Sequence, residues 1–225
     1  MTLFPIFLKL QGEPVLVVGA GTLAKPKIET LVRAGANLCV VAPRAHDEIA
    51  MWQRDYGVRW LARPFGPGDV PGNRLVFAAT GIQDIDRAVA DECRRQGVFC
   101  NAIDDPPYCD FYSPAVVQRG CLQIAISTNG QSPALAQQIR QRLEQQFDES
   151  WAGRVEELGK QREQIRASLP PGEERNRLLH RIASDALASD AAGAGSVRTL
   201  HGRFLRLRDA VVRWLDKEDD KVALI

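Results

Sequence analysis

Two short stretches hold residues whose types and spacing suit chemistry. The first is VLVVGAGTLA, residues 15–24. An apolar run ends on Gly19-Ala20-Gly21, and Ala24 completes a G-x-G-x-x-A spacing. Between a strand and a helix, that spacing is a dinucleotide-binding fingerprint. Gly19 permits a tight turn, Gly21 lets the backbone approach a diphosphate, and Ala24 lets helix and strand pack closely. The helix entrance adds free N–H groups and a partial positive charge for phosphate oxygens. The second stretch is CNAIDDPPYCDFYSPA, residues 100–115. Here Asp104 and Asp105 follow an apolar run and are sealed by Pro106 and Pro107. One reading is an ordinary turn, since Asp and Pro are turn residues. The other is an acid/base group at the mouth of a cofactor site.

The elements around these stretches decide where they fall. Short apolar runs predict strands over 14–18, 37–42, 58–62, 75–79 and 98–103. Helical spacing predicts helices over 22–34, 47–56 and 84–96, with Gly35 placed to end the first. The βαβα order calls for a parallel sheet covered by helices. Ligands of such sheets sit outside the carboxyl ends of the strands. Those ends are Gly19, Pro43, Thr80 and Asp104, so the aspartate shares a rim with the glycine loop. An acidic residue usually follows the fingerprint by about 20 residues and binds the ribose. Here the region reads Val41-Ala42-Pro43-Arg44. Either backbone groups of Pro43 and Arg44 meet the adenosine, or Arg44 accepts a 2′-phosphate and favours NADP over NAD.

Beyond Pro114 the pattern changes. A hairpin is predicted over 115–127, turning at Arg119-Gly120. Ser132 as N-cap and Pro133 at the first helical position open a helix to about residue 147. The rest reads as helical, with a break at 170–174, a linker at 189–196 and a last helix over 197–217. The chain thus divides into three segments: residues 1–113, 114–150 and 151–225.

Composition narrows the classes. The chain has 225 residues, 45% hydrophobic and 25% charged, which is ordinary for a globular protein with a real core. A net charge of +1 without a basic block argues against nucleic acid as partner. No apolar run is long enough to span a membrane. The opening residues, MTLFPIFLKLQGEP, lack a basic stretch and a small-residue cleavage site, so a cytoplasmic setting is expected. Five cysteines show no CxxC spacing and read as reduced, and three scattered histidines give no argument for a metal site.

Taken in order, VLVVGAGTLAKPK, NAIDDPPYCDFYSPAVVQRG and IAISTNGQSPALAQQIRQRLE resemble the precorrin-2 dehydrogenase / sirohydrochlorin ferrochelatase family, the N-terminal module of siroheme synthases. The resemblance covers about residues 1–150. It implies an α/β fold of three parts: a Rossmann-type domain, a small α+β dimerisation segment and a helical C-terminal domain. It implies NAD-dependent oxidation of precorrin-2 to sirohydrochlorin by a homodimer. Some members also insert Fe(II) to give siroheme. The family's essential aspartate falls on Asp104. Its nucleotide contacts fall on the loop from Gly19 through Thr22 and Leu23, and on Pro43 and Arg44. The family commonly reads G-G-G-x-V-A-x-R-K, whereas this chain has Pro26 where the arginine stands.

A carboxylate-rich tetrapyrrole needs cations and N–H donors. The loop Thr128-Asn129-Gly130-Gln131-Ser132 precedes a helix and makes a natural carboxylate seat, with Arg119 as a basic partner. Asp105 reads as a turn or supporting residue. A different class of reading is a non-catalytic NAD(P)-sensing module. Asp104 and the 127–132 loop discriminate, because a sensor needs neither on a strand-end rim.

Overall fold

Five apolar runs in the first half pair into one sheet. The structure is a computed structural model and describes residues 3–191. Its strands are β1 (Pro14–Val18), β2 (Asn37–Val41), β3 (Arg59–Leu61), β4 (Leu75–Ala78) and β5 (Phe99–Ala102). Their order across the sheet is β3-β2-β1-β4-β5, and every pairing is parallel. The chain winds outward from β1 in both directions, so the order reverses between β1 and β4. That reversal opens a crevice at the carboxyl ends of the strands. Val18 is level with Val41 and with Ala78, and Ala78 is level with Ala102. The loops that follow β1, β2, β4 and β5 therefore leave the sheet at one height. The Rossmann-type α/β reading of the sequence holds.

Both faces of the sheet are buried, as parallel strands require. Val15 and Val17 of β1 join one core with Leu38 and Val40, while Leu16 and Val18 join the other with Val76 and Ala78. The period-2 alternation of a strand divides them. Helices α1 (Lys25–Arg33) and α2 (Ile49–Tyr56) cover the first face through Ile28, Leu31, Ile49 and Trp52. Helix α3 (Gln83–Gln96) covers the second through Val89, Ala90 and Cys93. Burying each such aliphatic side chain contributes roughly 1.5–3 kcal/mol.

Helix α1 starts later than its apolar spacing suggests. Residues 22–24 form a turn, and Lys25 N–H already reaches the Gly21 carbonyl at 3.1 Å. Pro26 stands in the first turn, where a missing N–H costs least, and its carbonyl accepts the Thr30 hydroxyl at 2.8 Å. The helix closes through Gly35 N–H to Val32 and Ala36 N–H to Leu31, the paired bonds of a Schellman end.

The chain divides into two compact units, Met1–Ser113 and a second from Pro114 onward. In the second, β6 (Ala115–Arg119) and β7 (Leu122–Ile126) form an antiparallel hairpin. Helix α4 (Pro133–Gln146) follows, N-capped by Ser132, whose Oγ accepts Leu135 N–H at 3.3 Å. Helices α5 (Ser150–Ser168) and α6 (Glu173–Ala191) pack through Ile165, Leu169 and Ile182. Helix α6 runs through residues 189–191, where the sequence suggested a linker. The rest of that linker and the helix expected over 197–217 lie outside the described residues. No helix among the described residues is long and apolar enough to cross a membrane.

Candidate active site

The glycine loop sits in the crevice between β1 and β4. Gly19 has φ +109°, and its N–H donates to the Val41 carbonyl at 2.9 Å. A Cβ there would stand 2.4 Å from the Ala79 oxygen, so only glycine lets the loop lie against β4. Gly21 is the opposite case: a Cβ there would meet no protein atom within 4 Å. The protein does not need a bare backbone at Gly21, whereas a ligand approaching closely does. Ala24 is fully buried in the α1 packing, as the fingerprint requires. Thr22 and Leu23 are exposed at the rim, and Leu23 faces Gly81 of the loop after β4. These residues fit a dinucleotide diphosphate at the start of α1.

The loop after β2 is tied to the glycine loop by His46 N–H donating to the Ala20 carbonyl at 2.9 Å. Pro43 and Arg44 stand exposed on it. Glu48, four residues past Arg44, is engaged by Lys25. That bond holds the Glu48 carboxyl below the usual carboxylate range.

The loop after β4 is held by a residue that motif reading did not single out. Asp86 in the first turn of α3 is buried. Its carboxylate accepts Thr80 N–H at 3.0 Å, the Thr80 hydroxyl at 2.8 Å and Gly81 N–H at 3.2 Å. Thr80 thus turns its hydroxyl to Asp86 and shapes the rim through its backbone. The available signal was an acid in the first turn of a helix just after a strand end.

At the end of β5 the two aspartates part. Asp105 is 8% exposed, and its Oδ2 accepts Arg87 Nε at 2.7 Å and Gln83 Nε2 at 3.4 Å. Arg87 also lies over the Tyr108 ring, 5.1 Å from its centre. The loop then folds back onto β5. The Cys109 thiol donates to the Ala102 carbonyl at 3.0 Å, and Asn101 Nδ2 donates to the Phe111 carbonyl at 2.8 Å. Asp104 is exposed, has φ +62°, and makes no side-chain hydrogen bond among the described residues. The rim brings Gly19, Gly21, Pro43, Thr80 and Asp104 to one end of the first sheet.

In the second unit, the hydroxyls of the 127–132 loop largely build the loop itself. Thr128 Oγ1 accepts Ser132 N–H at 3.1 Å and Ser127 Oγ accepts Asn129 N–H at 3.1 Å. Asn129 and Gly130 take left-handed conformations, φ +52° and +78°. Arg119 is spent elsewhere: its guanidinium donates to the carbonyls of Phe147, Gln118 and Glu144. It clasps the C-terminus of α4, where a cation also suits the helix dipole.

Comparison with known proteins names the setting. Residues 6–115 match a family model described as "Putative NAD(P)-binding", and residues 119–146 match one described as "Sirohaem biosynthesis protein central". A protein of Aeromonas hydrophila named siroheme synthase 3 is 32% identical over 225 residues, all of this chain and 47% of its own length. Siroheme synthase 1 of Cronobacter sakazakii is 40% identical over 158 residues, 70% of this chain and 33% of its own length. Over its whole length the chain is similar to part of a siroheme synthase. It spans about half or less of those siroheme synthases' length. Among solved structures, one titled "SirC, precorrin-2 dehydrogenase" superposes with a TM-score of 0.76 at 27% identity. That match covers 92% of this chain and 100% of the other. The first unit thus matches an NAD(P)-binding domain.

Proposed function

We propose that this chain oxidises precorrin-2 to sirohydrochlorin, using NAD⁺ as the acceptor. The observation that carries the reading is the carboxylate of Asp104, exposed and without a hydrogen-bond partner among the described residues, on the same strand-end rim as the glycine loop. The likeness to a precorrin-2 dehydrogenase over nearly the whole chain supports it.

The oxidation removes a hydride and a proton. When bound, the dinucleotide supplies the hydride acceptor. Gly19 and Gly21 let the backbone close on its diphosphate, with the N–H groups of Thr22 and Leu23 at the mouth of α1. Pro43 and Arg44 line the adenosine side. Asp86 fixes the loop after β4, so the rim is preorganised. A carboxylate oxygen of Asp104 takes the proton that leaves the macrocycle. The Thr128–Ser132 loop, with Asn129 and Gly130 in left-handed turns, receives substrate carboxylates at the start of α4. Arg119 supports that loop's helix from its far end. The same carboxylate suits a second step, Fe(II) insertion, in which pyrrole N–H protons are released; Fe(II) is a substrate there.

The working form in this reading is a cytoplasmic homodimer. Val116 on β6 and Leu135 and Ile139 on α4 are apolar yet 38%, 48% and 36% exposed, a surface that a second copy would cover.

One experiment tests the scheme. Anaerobic precorrin-2 is supplied with NAD⁺ or NADP⁺, and the absorbance change to sirohydrochlorin is followed before Fe(II) is added. Turnover with NAD⁺ is expected, and faster than with NADP⁺. Binding of NAD⁺ without turnover would favour the sensing module instead.

A further inference from the structure

Lys27 is a cation to which the oxidation scheme gives no task. It is the third residue of α1, just past the glycine loop. Its neighbours Ala24 and Ile28 pack in one cluster with Ile103, the residue before Asp104. The start of α1 and the end of β5 thus belong to one packed cluster. Its side chain is half-buried, and its ammonium makes no hydrogen bond or ion pair among the described residues. Asp104 and Cys109 are the titratable groups that act on it, close enough to be felt but not to bond. Around them, Asp105 is taken by Arg87, and Asp110 accepts the Cys100 N–H. Burial pulls the Lys27 ammonium below the usual lysine range, while Asp104 and the Cys109 thiol pull it back up. A half-buried cation without a bonded partner is costly unless an anion arrives to meet it.

We propose that Lys27 is a substrate-binding residue: its ammonium receives a carboxylate of the tetrapyrrole and so sets the macrocycle against Asp104. The inference rests on the reading of the chain as a precorrin-2 oxidase. A dinucleotide diphosphate is the other anion in the region. It is the less suitable occupant, because its seat is the open space at Gly21 in the β1–β4 crevice, whereas the groups that act on Lys27 are Asp104 and Cys109, which follow β5.

The test uses the full chain with Lys27→Met and Lys27→Arg, each checked for folding by circular dichroism. Removing a charge-assisted hydrogen bond to the substrate predicts a precorrin-2 KM raised roughly 10- to 100-fold in Lys27→Met, with kcat within about 3-fold. Lys27→Arg should recover KM to within about 5-fold, because the positive charge returns. Sirohydrochlorin affinity, read by spectral titration, should fall in step with KM. The NAD⁺ dissociation constant should stay within about 2-fold. An unchanged KM in Lys27→Met overturns the assignment, as does lost NAD⁺ affinity with KM intact, which would move the anion to the diphosphate. Should Lys27→Met fail to fold, Lys27→Gln takes its place under the same criteria. Failure of the unsubstituted chain to oxidise precorrin-2 would refute the oxidation reading. Turnover by that chain, with KM unmoved by the substitution, would refute the Lys27 assignment alone.

Discussion

The two glycines of the loop make opposite predictions when each is given a single methyl group. In Gly19→Ala the new Cβ would stand 2.4 Å from the Ala79 oxygen, 2.6 Å from its carbon and 2.9 Å from Thr80 N. All three are backbone atoms, and they cannot swing aside. Ala79 N–H is held by the Val18 carbonyl at 2.8 Å and Gly19 N–H by Val41 at 2.9 Å, so any shift breaks sheet bonds. Relieving the overlap costs about 1–3 kcal/mol. Holding a side-chain-bearing residue at φ +109° adds about 1–3 kcal/mol. The sum, roughly 2–6 kcal/mol, is a large share of the about 5–15 kcal/mol that a domain has. Gly21→Ala meets no atom within 4 Å and carries no positive φ, so its stability should stay within about 1 kcal/mol of the parent. Its methyl, however, would stand where the diphosphate must come, and NAD⁺ affinity should fall at least about 10-fold. Urea unfolding and isothermal titration with NAD⁺ separate the two effects. A Gly21→Ala protein that binds NAD⁺ normally would remove the loop as diphosphate seat. A Gly19→Ala protein as stable as the parent would refute the packing argument.

Asp104→Asn keeps a residue type that tolerates the left-handed turn but removes the charge; turnover should drop at least about 100-fold, with NAD⁺ binding retained by titration. Asp104→Gly should also be inactive, yet no less stable than the parent on urea unfolding, because glycine relieves φ +62°. Asp86→Ala would strand Thr80 N–H and Gly81 N–H and leave the Thr80 hydroxyl only the Ile82 carbonyl at 3.3 Å; a loss of roughly 2–4 kcal/mol in urea unfolding is expected. The Arg63 guanidinium, then the Gly66 N–H, hold the Asp69 carboxyl below its ordinary 3.8, against the opposing effect of burial. A depressed folded-state value stabilises above the unfolded value and is lost as pH falls through the folded one. The urea midpoint should therefore decline below about pH 4, and Asp69→Asn should flatten that part of the decline.

What could be read along the chain was whatever depends on near neighbours. β1 runs over the predicted residues because PVLVV is a continuous apolar run closed by glycine. The glycine loop could be read because its three small residues fall within one turn. Helix α1 begins later than the apolar spacing at Leu23 predicts, since that spacing says nothing of the turn that Lys25 N–H makes to Gly21. Arg119 shows the limit more sharply. Its charge suggested an anion, but its partners are carbonyls at Glu144 and Phe147, which approach only when α4 folds back on the hairpin. Lys27 meets the same limit, because Asp104 and Cys109, the groups that act on it, are distant in sequence. Asp86 bonds only five and six residues back, to Gly81 and Thr80, and its signal is the weaker one of an acid in a helix's first turn.

The neighbouring aspartates show how one local device yields two roles. Asp104 takes φ +62°, and at the next residue the chain enters the 3₁₀ turn of Pro106–Tyr108. Asp105 is thereby carried inward onto Arg87 and Gln83, while Asp104 is left exposed on the rim. The strain at the left-handed residue is held in place by the turn on its C-terminal side. Asp105 N–H bonds to Ala102, Tyr108 N–H to Asp105, and the Cys109 thiol to Ala102. Together these bonds tie the turn back to β5, the strand that sets the height of the rim. Strain is kept at a position when the surroundings over-determine it, and a carboxylate fixed in this way need not be reorganised when a proton reaches it. Under the proposed oxidation, Asp105 would act only through geometry: Arg87→Ala removes its bond, lets the turn relax and moves Asp104, so turnover of precorrin-2 should fall while NAD⁺ affinity, read by titration, stays unchanged.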